Sequence, residues 1–231
     1  MKIVGAALAA TLCLPLAAQA GLIGPTGGTG LSGEYSRASD SPFSGGSFSW
    51  FYLEDFEDHL FNTPGVSASA GGVTSVVFGP SIHDSVDLDD GALDGSGLRG
   101  DSYFSASGAA GVTFTFSAGT LGALPTHAGI VWTDGAGSTT FEAFDHNGVS
   151  MGTITVSLAD ASFNGETAED RFFGATDPLG ISAIHISNTA GGIEVDHLQY
   201  GFAASVPEPE TYALILAGLG LVGWIARRRR R

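Results

Sequence analysis

The sequence Val-Thr-Phe-Thr-Phe-Ser at residues 112–117 alternates apolar and hydroxyl side chains. Successive side chains of a β-strand point to opposite faces of its sheet, so this alternation predicts a half-buried strand. Similar runs lie on both sides of it, at residues 47–53, 73–78, 128–133, 139–144, 153–158, 181–187 and 193–200. About eight strands at this spacing are typical of an antiparallel β-sandwich.

Glycine-containing pairs separate these runs and predict the turns between strands: Gly71-Gly72, Asp134-Gly135, Asn147-Gly148, Asn164-Gly165 and Gly191-Gly192. Such pairs tolerate the positive φ angles of tight hairpin turns. No stretch between them has a helical period with caps. The sequence therefore predicts an all-β, jelly-roll-like sandwich over residues 47–204. The Gly/Ser-rich residues 21–46 are expected to be a leader or an edge strand.

The first 20 residues have the composition of a signal peptide. Lys2 precedes an apolar run over residues 3–18, and Ala18-Gln19-Ala20 fits a small-residue cleavage site. We expect export through the Sec machinery with cleavage between Ala20 and Gly21; the alternative is a buried helix. The only cysteine, Cys13, lies in the segment that would be removed, so the mature chain has no thiol for disulfides, zinc or catalysis.

The stretch between this segment and the C-terminal tail is strongly acidic. It contains 22 of the 24 acidic residues but only three basic ones, Arg37, Arg99 and Arg171. Such a surface has too few cations to neutralise phosphates, so a nucleic-acid partner is excluded. It favours cations instead, and calcium is the first candidate.

The last 27 residues, 205–231, combine three features in a fixed order. Pro207-Glu208-Pro209 comes first, and an apolar run at residues 212–226 follows it. The basic end consists of Arg227, Arg228, Arg229, Arg230 and Arg231. The apolar run is shorter than the roughly 20 residues that cross a hydrocarbon core, but local bilayer thinning tolerates a short span. We predict a single transmembrane helix whose arginines stay cytoplasmic.

These features closely resemble the PEP-CTERM sorting domain of Gram-negative bacteria that make exopolysaccharide. The resemblance implies that a membrane protease-transpeptidase, exosortase, recognises Pro207, Glu208 and Pro209 and cleaves near them. The anchor in the inner membrane would then be transient. The implied function is that of an exported cell-envelope or extracellular-matrix protein associated with exopolysaccharide. The alternative is a permanent single-span membrane protein.

Aspartates and glycines are concentrated between residues 84 and 101. Asp87 and Asp89, followed by Gly91, have the spacing of part of a calcium loop, since calcium takes six to eight oxygen ligands. The glutamate that occupies position twelve of an EF-hand is absent. The alternative is a solvated acidic loop without a metal.

Two short motifs, Phe56-Glu57-Asp58 and Val195-Asp196, resemble positions in carbohydrate-binding jelly rolls. In those modules a glutamate and an aspartate share a structural calcium ion, which implies Glu57 and Asp196 as ligands here. Strand alternation puts Glu194 and Asp196 on one face and Val195 and His197 on the other. Burying Asp196 without a cation or hydrogen bonds would be costly. The alternative places both acids on a wet face.

Evidence for other activities is weaker. Aromatic candidates for sugar stacking lie in predicted strands, where core packing is more common: Trp50, Tyr52, Tyr103, Trp132 and Tyr200. The sequence has no G-x-S-x-G or H-E-x-x-H motif, and its six histidines lack metal-ligand spacing. Glu142 with Asp145, or Glu166 with Asp170, fits a glycosidase pair only because acids are abundant. A non-enzymatic protein is favoured over a calcium-stabilised lectin-like module or a glycoside hydrolase.

Overall fold

The computed structural model describes residues 19–28, 33–77, 84–93, 100–158, 169–204 and 209–229. One compact unit comprises Gln19–Ala204, and the C-terminal helix belongs to a second. The strands are β1 (Gly21–Thr26), β2 (Phe48–Glu54), β3 (Val66–Ala68), β4 (Gly72–Val73), β5 (Tyr103–Ser105), β6 (Val112–Phe116), β7 (His127–Asp145), β8 (Ser150–Ser157), β9 (Arg171–Thr176) and β10 (Ile181–Ala203). The helices are α1 (Thr74–Val77), α2 (Ala118–Leu121) and α3 (Pro209–Arg229).

Every strand pairing is antiparallel, which confirms the all-β prediction. The main strand order is β1-β9-β7-β10-β5-β4, with β8 on β7, β2 and β6 on β10, and β3 on β6. The long strands β7 and β10 pair with each other along most of their length. On its other edge, β7 pairs first with β9 and then with β8, and β10 pairs first with β6 and then with β5 and β2. Because the partners change along their length, each long strand contributes to both halves of the fold.

Three features of the predicted strand pattern are wrong. Asp134-Gly135 and Gly191-Gly192 lie inside β7 and β10, where the structure has register shifts between neighbouring strands instead of turns. The run at residues 73–78 continues β4 only to Val73 and then becomes α1. The backbone amide of Thr74 still donates to the carbonyl of Ser102 at 2.8 Å, but the amide of Ser102 donates at 3.0 Å to the Thr74 hydroxyl, which is a side-chain acceptor. Tertiary context therefore overrides β-propensity after this point.

The turn at Asn147-Gly148 is confirmed. It connects β7 to β8, and Gly148 has a φ of +75°. The Asp145 carboxylate accepts hydrogen bonds from the amides of Asn147 and Val149 at 2.8 and 2.9 Å, an arrangement in which an aspartate side chain stabilises a turn. The other predicted turn of this type, Asn164-Gly165, lies outside the described residues.

The main hydrophobic core draws buried side chains from both halves of the fold. Its largest members include Trp132, Phe114, Phe141, Phe173, Ile184 and Tyr200. A smaller group, here called the outer cluster, consists of Tyr35, Phe43, Val86, Val131 and Phe172. Val131 and Phe172 alternate along β7 and β9 with members of the main core, so the outer cluster lies on the opposite face of these strands. It holds two loop segments, 33–43 and 84–91, against the sheet.

The C-terminal segment is helical from Pro209 to Arg229, with Arg227–Arg229 in its last turn. In the described part of the chain, no helix is both long enough and apolar enough to cross a membrane. The prediction of a single transmembrane helix is therefore not confirmed, since the apolar run covers only residues 212–226.

Candidate metal centre

The acidic loop, residues 84–91, lies over the outer face of β10. The amide of Asp84 donates to Glu194 Oε2 at 2.9 Å, and the amide of Val86 donates to Asp196 Oδ2 at 2.9 Å. Val86 is fully buried in the outer cluster. The loop is therefore packed on the sheet, and Asp196 is a buried residue, not one on a wet face.

Asp89, Asp196 and His197 form a group in which one candidate ligand atom from each residue lies within 4.8 Å of the others. Asp196 is fully buried, and its Oδ1 accepts a hydrogen bond from the amide of His197 at 2.6 Å. His197 has a φ of +45° and lies at a register shift of β10. This bulge brings His197 to the same side as Asp196, so the alternation that separated them was wrong here.

Hydrogen bonds fix the role of His197 in this group. Gln199 Nε2 donates to the Tyr35 hydroxyl oxygen at 2.8 Å, and that hydroxyl lies 3.0 Å from His197 Nδ1. Because the oxygen already accepts from Gln199, its own proton points to Nδ1. The other ring nitrogen, Nε2, then carries a proton and donates to Asp89 Oδ2 at 2.8 Å. Both nitrogens are occupied, so His197 orients Asp89 and is not itself a ligand.

Glu57 approaches the same region from the end of β2. Its Oε1 accepts a hydrogen bond from the amide of Asp101 at 2.5 Å. Burial raises the pKa of Glu57 to about 7, with the hydrogen bond from the Asp101 amide lowering it and the negative charge of Asp89 contributing to the rise. Burial and then Asp89 likewise raise the pKa of Asp196 well above its usual range, with a smaller effect from Glu57. The structure thus brings Glu57, Asp89 and Asp196 into one electrostatic neighbourhood.

Asp87, the fourth predicted ligand, starts the short 3-10 turn Asp87–Asp90 and is 1% exposed. It does not belong to the group formed by Asp89, Asp196 and His197. Gly91 ends the turn with a φ of +90°, a left-handed conformation that glycine adopts without strain and that suits the bend predicted there.

The oxygen donors of this centre fit a hard cation. Carboxylate oxygens are the ligands that calcium prefers, whereas zinc prefers sulfur and nitrogen. The described residues contain no cysteine, and the imidazole of His197 is occupied on both sides. Calcium is therefore the metal that these residues suit best.

Sequence reasoning missed two residues of this region, His197 and Asp170. The bulge that turns His197 cannot be recognised from the alternation of apolar and polar residues in the sequence. Asp170 precedes β9, which was not predicted because its Phe-Phe-Gly-Ala stretch, residues 172–175, is buried on both faces and does not alternate. Asp170 itself is fully buried.

The other predicted site residues lie in or beside the two units. Ala20 is exposed, and Gly21, the expected first mature residue, begins β1. Pro209 begins α3, whereas Pro207, Glu208, Arg230 and Arg231 lie outside the described residues.

The aromatic candidates for sugar stacking divide into two classes. Trp132, Tyr103 and Tyr200 are buried in the main core. Trp50 is 37% exposed on β2, and its ring stacks on that of Tyr52, with centroids 6.1 Å apart and an interplanar angle of 15°. Only this pair presents an aromatic surface to solvent among the five candidates.

Fold and tail together define an antiparallel all-β protein with a C-terminal helix. Residues 205–231 match the family model of the PEP-CTERM protein-sorting motif. The chain therefore carries this sorting motif, as its tail predicted, and the motif marks an exported protein targeted to exosortase. No curated protein sequence matches the chain significantly.

Several solved structures are similar to the chain at low identity. The C-terminal family 22 carbohydrate binding module of Clostridium thermocellum Xyn10B is 15% identical with a TM-score of 0.36; the match covers 71% of this chain and 99% of that one. A xylan-binding domain from CBM 22 is 14% identical with a TM-score of 0.36, covering 70% and 98%. The catalytic domain of a GH87 alpha-1,3-glucanase is 17% identical with the same TM-score, covering 71% of this chain and 30% of that one. These TM-scores are too low to support an argument about function.

Proposed function

We propose that this protein is exported through the Sec machinery, processed by exosortase near Pro207-Glu208-Pro209 and released from the inner membrane. It then works without catalysis at the cell surface or in the extracellular matrix, in association with exopolysaccharide. The observation that carries the proposal is the sorting motif at residues 205–231. The acidic composition of the domain supports it, since a high net charge keeps a secreted protein soluble.

The parts of the tail have separate physical roles in this proposal. The two prolines keep the chain extended and remove backbone donors, which suits a segment that enters a protease cleft. The five arginines resist transfer across the membrane and hold the C-terminus on the cytoplasmic side. The short apolar run between them is a weak anchor, which suits a temporary attachment.

Mass spectrometry of the released protein tests the sorting step. We expect a chain that starts at Gly21 and has lost its end beyond the processing site. The double substitution Pro207→Ala with Pro209→Ala should leave the tail intact and the protein in the membrane fraction. Thr211→Ser is the matched control in the same segment and should be processed normally. Intact tails on protein released by cells with active exosortase would contradict the proposal.

In this proposal the domain is held together by calcium at Asp89 and Asp196, with Glu57 beside them. Extracellular calcium modules bind with dissociation constants of roughly 10⁻⁴ to 10⁻³ M, so such a site is loaded outside the cell. Binding to the folded state alone stabilises a protein by RT ln(1 + [L]/Kd), which is about 2.7 kcal/mol at 100 times Kd. A chelator should therefore lower the melting temperature. A melting temperature that is indifferent to the chelator would exclude the metal.

A second candidate function, glycan binding, is favoured by the exposed Trp50–Tyr52 pair. Two nearly coplanar rings on a strand form a flat amphipathic surface of the kind that aromatic residues supply at interfaces. Trp50→Ala should then reduce binding to purified exopolysaccharide at least about tenfold. Phe51→Ala is the matched control, because Phe51 is 36% exposed on the same strand but packs against Phe48. Equal binding by both variants and the wild type would reject a glycan site at this pair.

A further inference from the structure

Asp170 is a buried carboxylate without a hydrogen-bond partner. Its side chain is fully inaccessible, and neither Oδ1 nor Oδ2 has a donor in the described structure. The backbone carbonyl of the same residue accepts from the amide of Tyr35 at 3.0 Å and from Arg171 Nη1 at 2.7 Å. The main chain of Asp170 is thus firmly held, while its two side-chain oxygens lack compensation. A buried ionised carboxylate costs several kcal/mol unless it is paired or ligates a metal.

The charges around Asp170 increase this cost. Burial raises the pKa of its carboxyl well above the usual range, and the negative charges of Asp84 and then Asp196 raise it further. Arg171 lowers it, but the hydrogen bond of that guanidinium goes to the main-chain carbonyl and not to the carboxylate. Protonation would not solve the problem, because a neutral acid also needs an acceptor for its O–H and a donor for its C=O.

Two buried hydroxyls without partners lie beside Asp170. Arg171 pairs with Trp132 in the β7–β9 ladder, so Thr133 on β7 is the next residue along, level with Asp170. On its other side the chain passes from Tyr35, whose amide binds the Asp170 carbonyl, to Ser36. The Oγ1 of Thr133 and the Oγ of Ser36 are both buried without a hydrogen-bond partner. Four buried oxygens without hydrogen-bond partners therefore come from three residues at neighbouring positions, Asp170, Thr133 and Ser36.

We propose that Asp170 and Asp84 bind a buried calcium ion, with Thr133 and Ser36 as neutral oxygen ligands. This ion is distinct from the one proposed at Asp89 and Asp196, and it makes the outer face of the sheet a two-calcium region. A divalent cation supplies the partner that the Asp170 oxygens lack and offsets the repulsion between Asp170 and Asp84. Calcium suits an irregular set of oxygen donors, whereas magnesium demands near-octahedral geometry and retains several waters.

Calcium binding to the full-length protein in detergent tests this inference. After removal of metal with a chelator, equilibrium dialysis against calcium should give two ions per wild-type chain. Asp170→Asn should bind one ion fewer. Asp90→Asn is the matched control, because Asp90 lies in the acidic loop but only caps a turn through the amide of Ala92. It should retain both ions.

Melting temperatures supply a second readout that a merely structural role would not produce. Asp170→Asn should lower the melting temperature of the calcium-loaded protein by about half of the total calcium effect. It should not lower that of the calcium-free protein, because a neutral amide replaces an uncompensated carboxylate. Two bound ions in Asp170→Asn, or equal destabilisation with and without calcium, would overturn the inference.

The failure of this inference can be distinguished from failure of the calcium site in the proposed function. Asp89→Asn should lose the other ion and leave the Asp170 ion in place. If Asp89→Asn loses an ion and Asp170→Asn loses none, only the Asp170 site is rejected. If Asp170→Asn does not fold, the wild-type stoichiometry decides, since a single bound ion per chain would overturn the second site.

Discussion

Replacing Tyr35 with phenylalanine removes one oxygen from the centre of the hydrogen-bond network that positions Asp89. The Tyr35 hydroxyl accepts from Gln199 Nε2 and donates to His197 Nδ1, and both partners are buried. Burial separates both partners from bulk solvent that could replace the lost contact. Phenylalanine retains the ring, which stacks on Phe172 at a centroid distance of 6.3 Å, so the change isolates the hydroxyl.

The expected cost follows from the two groups left without a partner. A buried donor or acceptor without its hydrogen bond costs about 1–3 kcal/mol, so Tyr35→Phe should lower the free energy of unfolding by about 2–6 kcal/mol. For a domain of this size each kcal/mol corresponds to roughly 2–4 °C in melting temperature. Tyr103→Phe is the control, because the Tyr103 hydroxyl makes one part-buried hydrogen bond, to the carbonyl of Ala70 at 2.9 Å. It should cost about 0.5–1.5 kcal/mol.

Urea denaturation with and without calcium measures both effects. Because His197 orients Asp89 through Nε2, the loss of the Tyr35 hydroxyl should also weaken calcium binding, whereas Tyr103→Phe should leave it unchanged. If Tyr35→Phe costs no more than Tyr103→Phe, the assigned direction of the hydrogen bonds is wrong. If it is destabilising but calcium affinity is unaltered, His197 does not position Asp89 for a metal.

Two further predictions concern the long strands. Asn188 is 3% exposed; its side chain accepts a hydrogen bond from Trp132 Nε1 at 3.0 Å and donates one to the Gly192 carbonyl at 2.8 Å. Asn188→Ala should therefore lower the free energy of unfolding, measured by urea denaturation, by about 2–4 kcal/mol. Thr140→Ala is the control at a half-buried position of β7, where the hydroxyl lies 3.0 Å from that of Thr155, and it should cost no more than about 1 kcal/mol. Similar costs for both variants would refute the role of Asn188. Burial lowers the pKa of His127 below its usual value, so the unfolded state binds more protons and stability should fall as the pH drops below about 6.5. Because burial lowers the pKa of His185 too, His127→Gln should remove only part of this loss of stability at low pH. An unchanged dependence of stability on pH in His127→Gln would contradict the role of His127.

Much of the fold could be predicted from local pattern. Strands β2, β6 and β8 each start and end within about three residues of their predicted runs. The pattern of β6 alternates because one of its faces is buried and the other is not, whereas the burial of β2 does not alternate. β9 could not be found in this way, since its buried pattern covers both faces. The continuous β10 was divided in two because Gly191-Gly192 has the composition of a turn, although the flanking residues pair with the same neighbour, β7.

The candidate site was partly predictable for a different reason. Acidic residues in an apolar strand, such as Asp196, stand out because their burial is costly. The approach of Asp89 to Asp196 depends on how the acidic loop crosses the sheet, which local sequence does not specify. Asp170 had no strand context at all, because β9 was missed. The tail needed no tertiary information, since its three features are contiguous and the family match covers the same residues.

The charge distribution connects the proposed metal sites to export. In the described part of the domain, two carboxylates lie against histidine rings, Asp101 against His59 and Asp89 against His197. When the acidic loop folds over β10, it brings further negative charge against Asp196 and Asp170, and the charge of Asp84 raises the pKa of Asp170. In the proposed calcium sites, cations from the surroundings offset this charge, and calcium at extracellular concentration can supply them. In the proposed route through the Sec machinery the chain crosses the membrane unfolded, so this loop would close only after export, where calcium in the outer compartment would stabilise the folded domain.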